Sequence, residues 1–294
     1  MRNLIVNADD LGWTGGVNLG IAEAHGNGIV TSSSLLANGQ AFASAVELAL
    51  GRKSLGVGVH LNLSNGEPTA PRELVTSLLN DQGTFAGGPE SILMKLARRS
   101  MLLSEVEEEW DAQIRKVRAA GIAPTHLDGH KHVHMLPGLF EVASKLAKRH
   151  AIGGIRVSHE SSPLRTALAT GAQRNARKVM KQGVQARAIK MLARDAREQA
   201  SRMGLVTTDY FCGIAQTGEL TREGVEKLLR GLPEGTTELM CHPGFLDGDL
   251  ANSETRLQQS RAREVEILTD KALRNLVAEQ GIRLIDYGFL SQGA

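Results

Sequence analysis

Four short stretches of the sequence gather side chains that bind metal ions or move protons. The first is Asn7-Ala8-Asp9-Asp10-Leu11-Gly12, where two adjacent carboxylates end an apolar run. Successive side chains of a regular strand point to opposite faces, so Asp9 and Asp10 would diverge unless a turn assisted by Gly12 aims both at one site. One carboxylate would then bind metal and the other act as a base. The alternative is that Asp10 or Asn7 only caps the turn or the next helix.

The second stretch is Gly56-Val57-Gly58-Val59-His60-Leu61-Asn62-Leu63, in which glycines permit close approach of backbone or ligand to a strand that carries His60. Alone, a His at the end of an apolar strand is more often a hydrogen-bonded structural residue than a ligand. The third is Thr125-His126-Leu127-Asp128-Gly129-His130-Lys131-His132-Val133-His134. If it stays extended, His126, Asp128, His130, His132 and His134 share one face while Leu127, Lys131 and Val133 face away. Not all of these can ligate one ion. Metal-bound imidazoles need a carboxylate or carbonyl on their second nitrogen, so some of His126, Asp128, His132 and His134 are expected behind the ligands, orienting them. The fourth is Glu238-Leu239-Met240-Cys241-His242-Pro243-Gly244, where proline stops a strand and leaves His242 at its carboxyl end, as a catalytic imidazole or a packing one. Weaker candidates are Asn62, Arg156 and Trp13 as substrate contacts, the last by stacking on a sugar ring; Arg156 reads equally as a structural ion pair.

These stretches need a frame that brings them together. Short β-rich runs (3–8, 30–36, 57–63, 125–128, 154–157, 208–212, 238–241 and 282–287) alternate with helical patterns at 16–25, 103–120, 138–150, 221–230 and 253–279. That alternation predicts parallel βα units, an α/β fold with about seven or eight strands in a closed or nearly closed (β/α) barrel. All four stretches fall at or near carboxyl ends of strands, the barrel face on which catalytic residues collect.

Composition narrows the function classes. The chain has 294 residues, 41% hydrophobic and 22% charged, enough apolar material for one large core over 1–294. A net charge of +2 gives no global case for nucleic-acid or membrane partners. Cys212 and Cys241 are too few for a thiolate zinc site or a disulfide scaffold, and Cys241 is expected to be buried packing. The apolar run before Asp9 is too short for a signal-peptide core, and no stretch reaches a membrane span, so a cytoplasmic protein is expected. One segment is unusual: Arg165 to Arg202 holds ten Lys or Arg against two acids, Asp195 and Glu198. It reads as a helical insertion at about 160–205 that serves as a lid or homodimer element, with a basic partner surface as the alternative.

Taken in order, Asn-Ala-Asp-Asp-x-Gly at 7–12, Gly-x-His ending at His60, Thr-His-x-Asp-x-His at 125–130 and Cys-His-Pro at 241–243 resemble the motifs of the YdjC-like carbohydrate deacetylases. The resemblance runs over most of the chain. It implies a distorted barrel related to polysaccharide deacetylases, with Asp10, His60 and His130 as metal ligands. It further implies Asp9 as base and His242 as the second acid/base group. One divalent ion is expected, magnesium or zinc first, with manganese, cobalt or nickel also compatible. The substrate implied is an N-acetylated amino sugar, oligosaccharide or glycolipid, deacetylated by metal-assisted hydrolysis. Two rivals stay open. A second ion, held with His132 or His134, would indicate a phosphoesterase; a barrel that keeps its ion without catalysis would be a sugar-binding protein.

Overall fold

The computed structural model describes residues 1–85, 87–160, 164 and 192–292. Among the described residues eight strands form one sheet: β1 (Arg2–Leu11), β2 (Ser32–Leu35), β3 (Gly56–Leu61), β4 (His126–Gly129), β5 (Gly154–Ile155), β6 (Tyr210–Cys212), β7 (Gly235–Cys241) and β8 (Arg283–Leu284). Their order is β5-β4-β3-β2-β1-β7-β6, with β8 paired to β1, and every pairing is parallel. The two ends of this curled sheet meet through the isolated bridge Glu160–Phe211, which makes it a distorted barrel. Each run expected from the sequence contributes a strand.

Strand periodicity sorts the residues. On β1, Leu4, Val6 and Ala8 join the main apolar core beneath the helices, as do Val57, Val59, Leu127, Leu239 and Cys241 on neighbouring strands. The alternate positions Asn7, Asp9, Ser34, His60, His126, Asp128 and Glu238 are also buried, but they hydrogen-bond to one another or to shared partners across the barrel interior. The barrel therefore has an apolar outer layer and a polar centre whose side chains are hydrogen-bonded together, with Asn7 Oδ1 left without a partner among the described residues.

Helix α1 (Gly15–Gly26) starts where the Thr14 hydroxyl accepts the Val17 N–H, and it buries Val17, Ile21 and Ala24. It lies so close to the loop after β7 that a Cβ on Gly20 would stand 2.4 Å from Gly244 Cα. The segment 253–279, expected as helical, is two helices, Gln259–Leu268 and Lys271–Glu279. The break falls at Asp270, whose backbone turns extended while its carboxylate accepts the Ala272 and Leu273 N–H groups and so caps the second helix. Of the basic insertion, 165–191 lies outside the described residues; 192–202 is helical. Among the described residues no helix is long and apolar enough to cross a membrane.

Candidate active site

Adjacent carboxylates reach one site through a bulge. β1 pairs with β2 as Asn7–Ser32 and Ala8–Ser33, then as Leu11–Leu35, so one extra residue is inserted between Ala8 and Leu11. Asp10 takes φ 72° and Gly12 φ 90°, the left-handed values that such an insertion uses. The extra step returns Asp10 to the side of Asp9, and both line a cavity of about 490 Å³ together with Trp13, His60, His130, His132 and His242.

His60 on β3 is the direct partner of Asp128 on β4. Its Nδ1–H donates to Asp128 Oδ1 at 2.7 Å, leaving Nε2 3.6 Å from Asp10 Oδ1. His130 follows β4; its Nδ1 lies 3.0 Å from Asp10 Oδ1, while its Nε2 is buried without a partner among the described residues. The Trp13 ring stands 5.1 Å from the His130 ring.

Behind these groups sits Arg156, 0% exposed. Its guanidinium pairs with both oxygens of Asp9 at 2.7 and 2.8 Å, with Asp128 Oδ2 at 2.5 Å and with Glu238 Oε1 at 2.8 Å. Arg156 does not border the cavity, which corrects its reading as a substrate contact: three buried carboxylates claim its donors. Asn62 is likewise turned away, with its side chain tied to Asn38 Oδ1, the Asn65 carbonyl and the Ser64 N–H.

The 125–134 stretch does not stay extended. β4 ends at Gly129, and His130–Met135 form a tight 3₁₀ turn in which Lys131 and His132 have φ 52° and 58°. His126, His130, His132 and His134 therefore do not share a strand face, and Lys131 turns into the cavity rather than away. His126 is stacked on Tyr287, with its nitrogens near Thr125 Oγ1 and Ser34 Oγ. It fits because residue 58 is glycine: a Cβ there would lie 2.4 Å from the imidazole. His134 Nε2 donates to the Arg156 carbonyl at 3.0 Å, and His132 Nδ1 pairs with Ser158 Oγ at 2.8 Å.

The electrostatics follow from this crowding. Burial pushes the carboxyls of Asp9, Asp10 and Asp128 up, but Arg156 for Asp9 and Asp128, and Arg261 with His130 for Asp10, outweigh it and hold all of them ionised below the usual range. Burial opposes charge on His60 as well, yet Asp128, Asp10 and Asp9 lift it to about 10, so in the metal-free centre a proton balances the excess negative charge. Burial brings His242 down to about 4, so its imidazole is neutral at pH 7 in the free site.

Asp10, His60 and His130 present ligand atoms within 4.8 Å of one another. The unpartnered His130 Nε2, the carboxylate-oriented His60 and the surplus of ionised acid all suit a divalent cation. Asp9, His60 and Asp128 are similarly close, but the Arg156 guanidinium already bridges Asp9 and Asp128 and leaves no place for a second positive charge there. Sequence reasoning missed two residues from the far end of the chain. Arg261 lies 2.5 Å from Asp10 Oδ2, and Glu264 Oε2 accepts the His242 N–H at 2.5 Å. Their spacing on the helix carries a signal only once that helix is known to face the site. Ile214, Thr217, Met240 and residues 254–257 form the remaining wall.

A parallel barrel with paired acids, imidazoles and a bulged first strand at one mouth defines an α/β protein whose buried Asp and His cluster could hold a metal ion. The family model described as YdjC-like protein matches residues 3–279, and the chain belongs to that family. A carbohydrate deacetylase of Geobacillus stearothermophilus is 36% identical over 97% of each chain. A human carbohydrate deacetylase is 36% identical over 96% of this chain and 88% of its own. A crystal structure from Enterococcus faecalis V583 covers 99% of both chains with a TM-score of 0.78 at 31% identity.

Proposed function

We propose that this chain is a metal-dependent carbohydrate N-deacetylase, which hydrolyses the N-acetyl group of an amino sugar, oligosaccharide or glycolipid to acetate and a free amine. The observation that carries the reading is that Asp9 and His242 border the same cavity as Asp10, His60 and His130, in a chain whose relatives carry the name carbohydrate deacetylase.

Asp10, His60 and His130 would hold the ion, and magnesium or zinc suits that donor set. When bound, it supplies Lewis acidity toward the acetyl carbonyl and the attacking water. Asp9 accepts the proton that the water loses. Arg156 keeps Asp9 ionised and fixes its direction, so the base is ready at neutral pH although it is weak. His242 delivers a proton to the departing nitrogen. As an acid of pKa about 4 its imidazolium gives up that proton readily but is scarce at pH 7, so the proton it delivers is the one Asp9 has taken from the water, passed on after attack, which returns Asp9 to its ionised form. Glu264 accepts the backbone N–H of His242 and so steadies the backbone that carries that imidazole. Trp13 offers an aromatic wall to a sugar ring.

The two-metal phosphoesterase reading loses support from the positions of the remaining histidines. His134 is fully buried and bonded to the Arg156 carbonyl, and His132 is engaged with Ser158. Acetate release from a panel of N-acetylated sugars and amino-sugar lipids, with chelation and reconstitution, tests the proposal.

A further inference from the structure

Arg261 enters the centre from the helix Gln259–Leu268, far from every motif that marks the site. Its side chain is 1% exposed. Nε donates to the Leu257 carbonyl at 3.0 Å and Nη2 lies 2.5 Å from Asp10 Oδ2. The other oxygen, Oδ1, is the one facing His130 Nδ1 at 3.0 Å and His60 Nε2 at 3.6 Å. Glycine at 244 leaves the passage open: a Cβ there would lie 3.2 Å from Arg261 Cδ. The two oxygens of one carboxylate thus serve different partners. A fixed cation holds Oδ2, and only Oδ1 turns toward the imidazoles.

We propose that Arg261 is a positioning residue that restricts Asp10 to one ligating oxygen and thereby biases the centre against calcium in favour of smaller ions such as zinc. The inference rests on the metal-centre reading given above. Zinc is satisfied by one oxygen of a carboxylate beside imidazole nitrogens, whereas calcium fills a larger shell of oxygens and readily takes both from one carboxylate. For Asp10 to offer both, Oδ2 would have to leave a guanidinium buried beside it, and an unpaired buried charge is strongly disfavoured. The left-handed backbone of Asp10 and the tether of Arg261 to Leu257 fix the pair from both sides.

Calorimetric titration of metal-free wild type, Arg261→Met and His130→Ala with zinc and with calcium, together with a crystal structure of zinc-loaded wild type, tests this. Arg261→Met should raise the ratio of calcium to zinc affinity by about tenfold or more, and in the wild-type crystal Asp10 Oδ2 should remain on Arg261 with Oδ1 alone on zinc. An unchanged ratio in folded Arg261→Met, or both Asp10 oxygens on zinc in wild type, overturns the proposal; the crystal decides it even if the variant does not fold. Zinc binding that is absent in wild type or unaffected by His130→Ala overturns the metal-centre reading itself, and this proposal with it.

Discussion

His60 and Asp128 stand as direct partners on neighbouring strands, and Asp128 Oδ1 accepts the His60 Nδ1–H at 2.7 Å. The bond holds a proton on Nδ1 of His60 and points Nε2 at Asp10. Asp128→Asn would keep the shape but lose the charge, and outer partners of this kind are worth about 10- to 100-fold in metal affinity. Titration of the metal-free variant with zinc should show that weakening. Unchanged affinity would mean that Asp128 serves only the Arg156 network.

Asp9 borders the cavity but is bound on both oxygens by Arg156, so its removal should spare the ion and harm the chemistry. Asp9→Asn is expected to retain one ion per chain and lose about 100- to 10,000-fold in kcat, the range for a positioned general base. Near wild-type turnover in this variant contradicts the assignment.

The metal-free protein should show a stability maximum between about pH 6 and 7. Burial brings His126 and His132 down to about 3 and His134 and His242 to about 4. Each takes up a proton on unfolding once pH falls below the ordinary imidazole value near ~6.5, so its contribution is complete above that value and is lost as pH falls. Glu264, raised to about 7 by burial, acts oppositely and offsets one of these protons. His60, lifted to about 10, contributes fully below ~6.5 and loses that contribution as pH rises through its folded value. Thermal melts in chelator should therefore fall off on both sides. His126→Asn should flatten the acid limb by one proton, about 1.4 kcal/mol per pH unit; an unaltered acid limb in that variant contradicts the neutral, buried state of His126.

Gly58→Ala tests the packing that seats His126. The new methyl would meet the imidazole at 2.4 Å and push it from its stack on Tyr287, where ring centroids are 4.1 Å apart. Overpacking of this kind costs about 1–3 kcal/mol, readable by chemical denaturation. A neutral change would mean that the ring has room to move.

Much of this arrangement is legible in the sequence because it depends on local pattern. Each β-rich run became a strand, and the doubled aspartate, with Gly12 two residues beyond Asp10, points to a turn there, which the structure supplies as a bulge. What sequence reading missed depends on distance or on strain. Lys131 and His132 adopt left-handed backbone with no glycine to announce it, so an extended histidine ladder is the natural but wrong expectation. Arg156 looks like any cation near a strand end, and only the convergence of Asp9, Asp128 and Glu238 around it explains its burial. Arg261 meets Asp10 across most of the chain's length, a pairing that no local spacing encodes.

The most direct test of the central claim is acetate release from N-acetylated sugars and amino-sugar lipids, measured alongside bound metal per chain. The account predicts acetate formation with one ion per chain, abolished by chelator and restored by adding metal back. Acetate release that persists in metal-free protein, or two ions per chain with no acetate from any substrate, would contradict it.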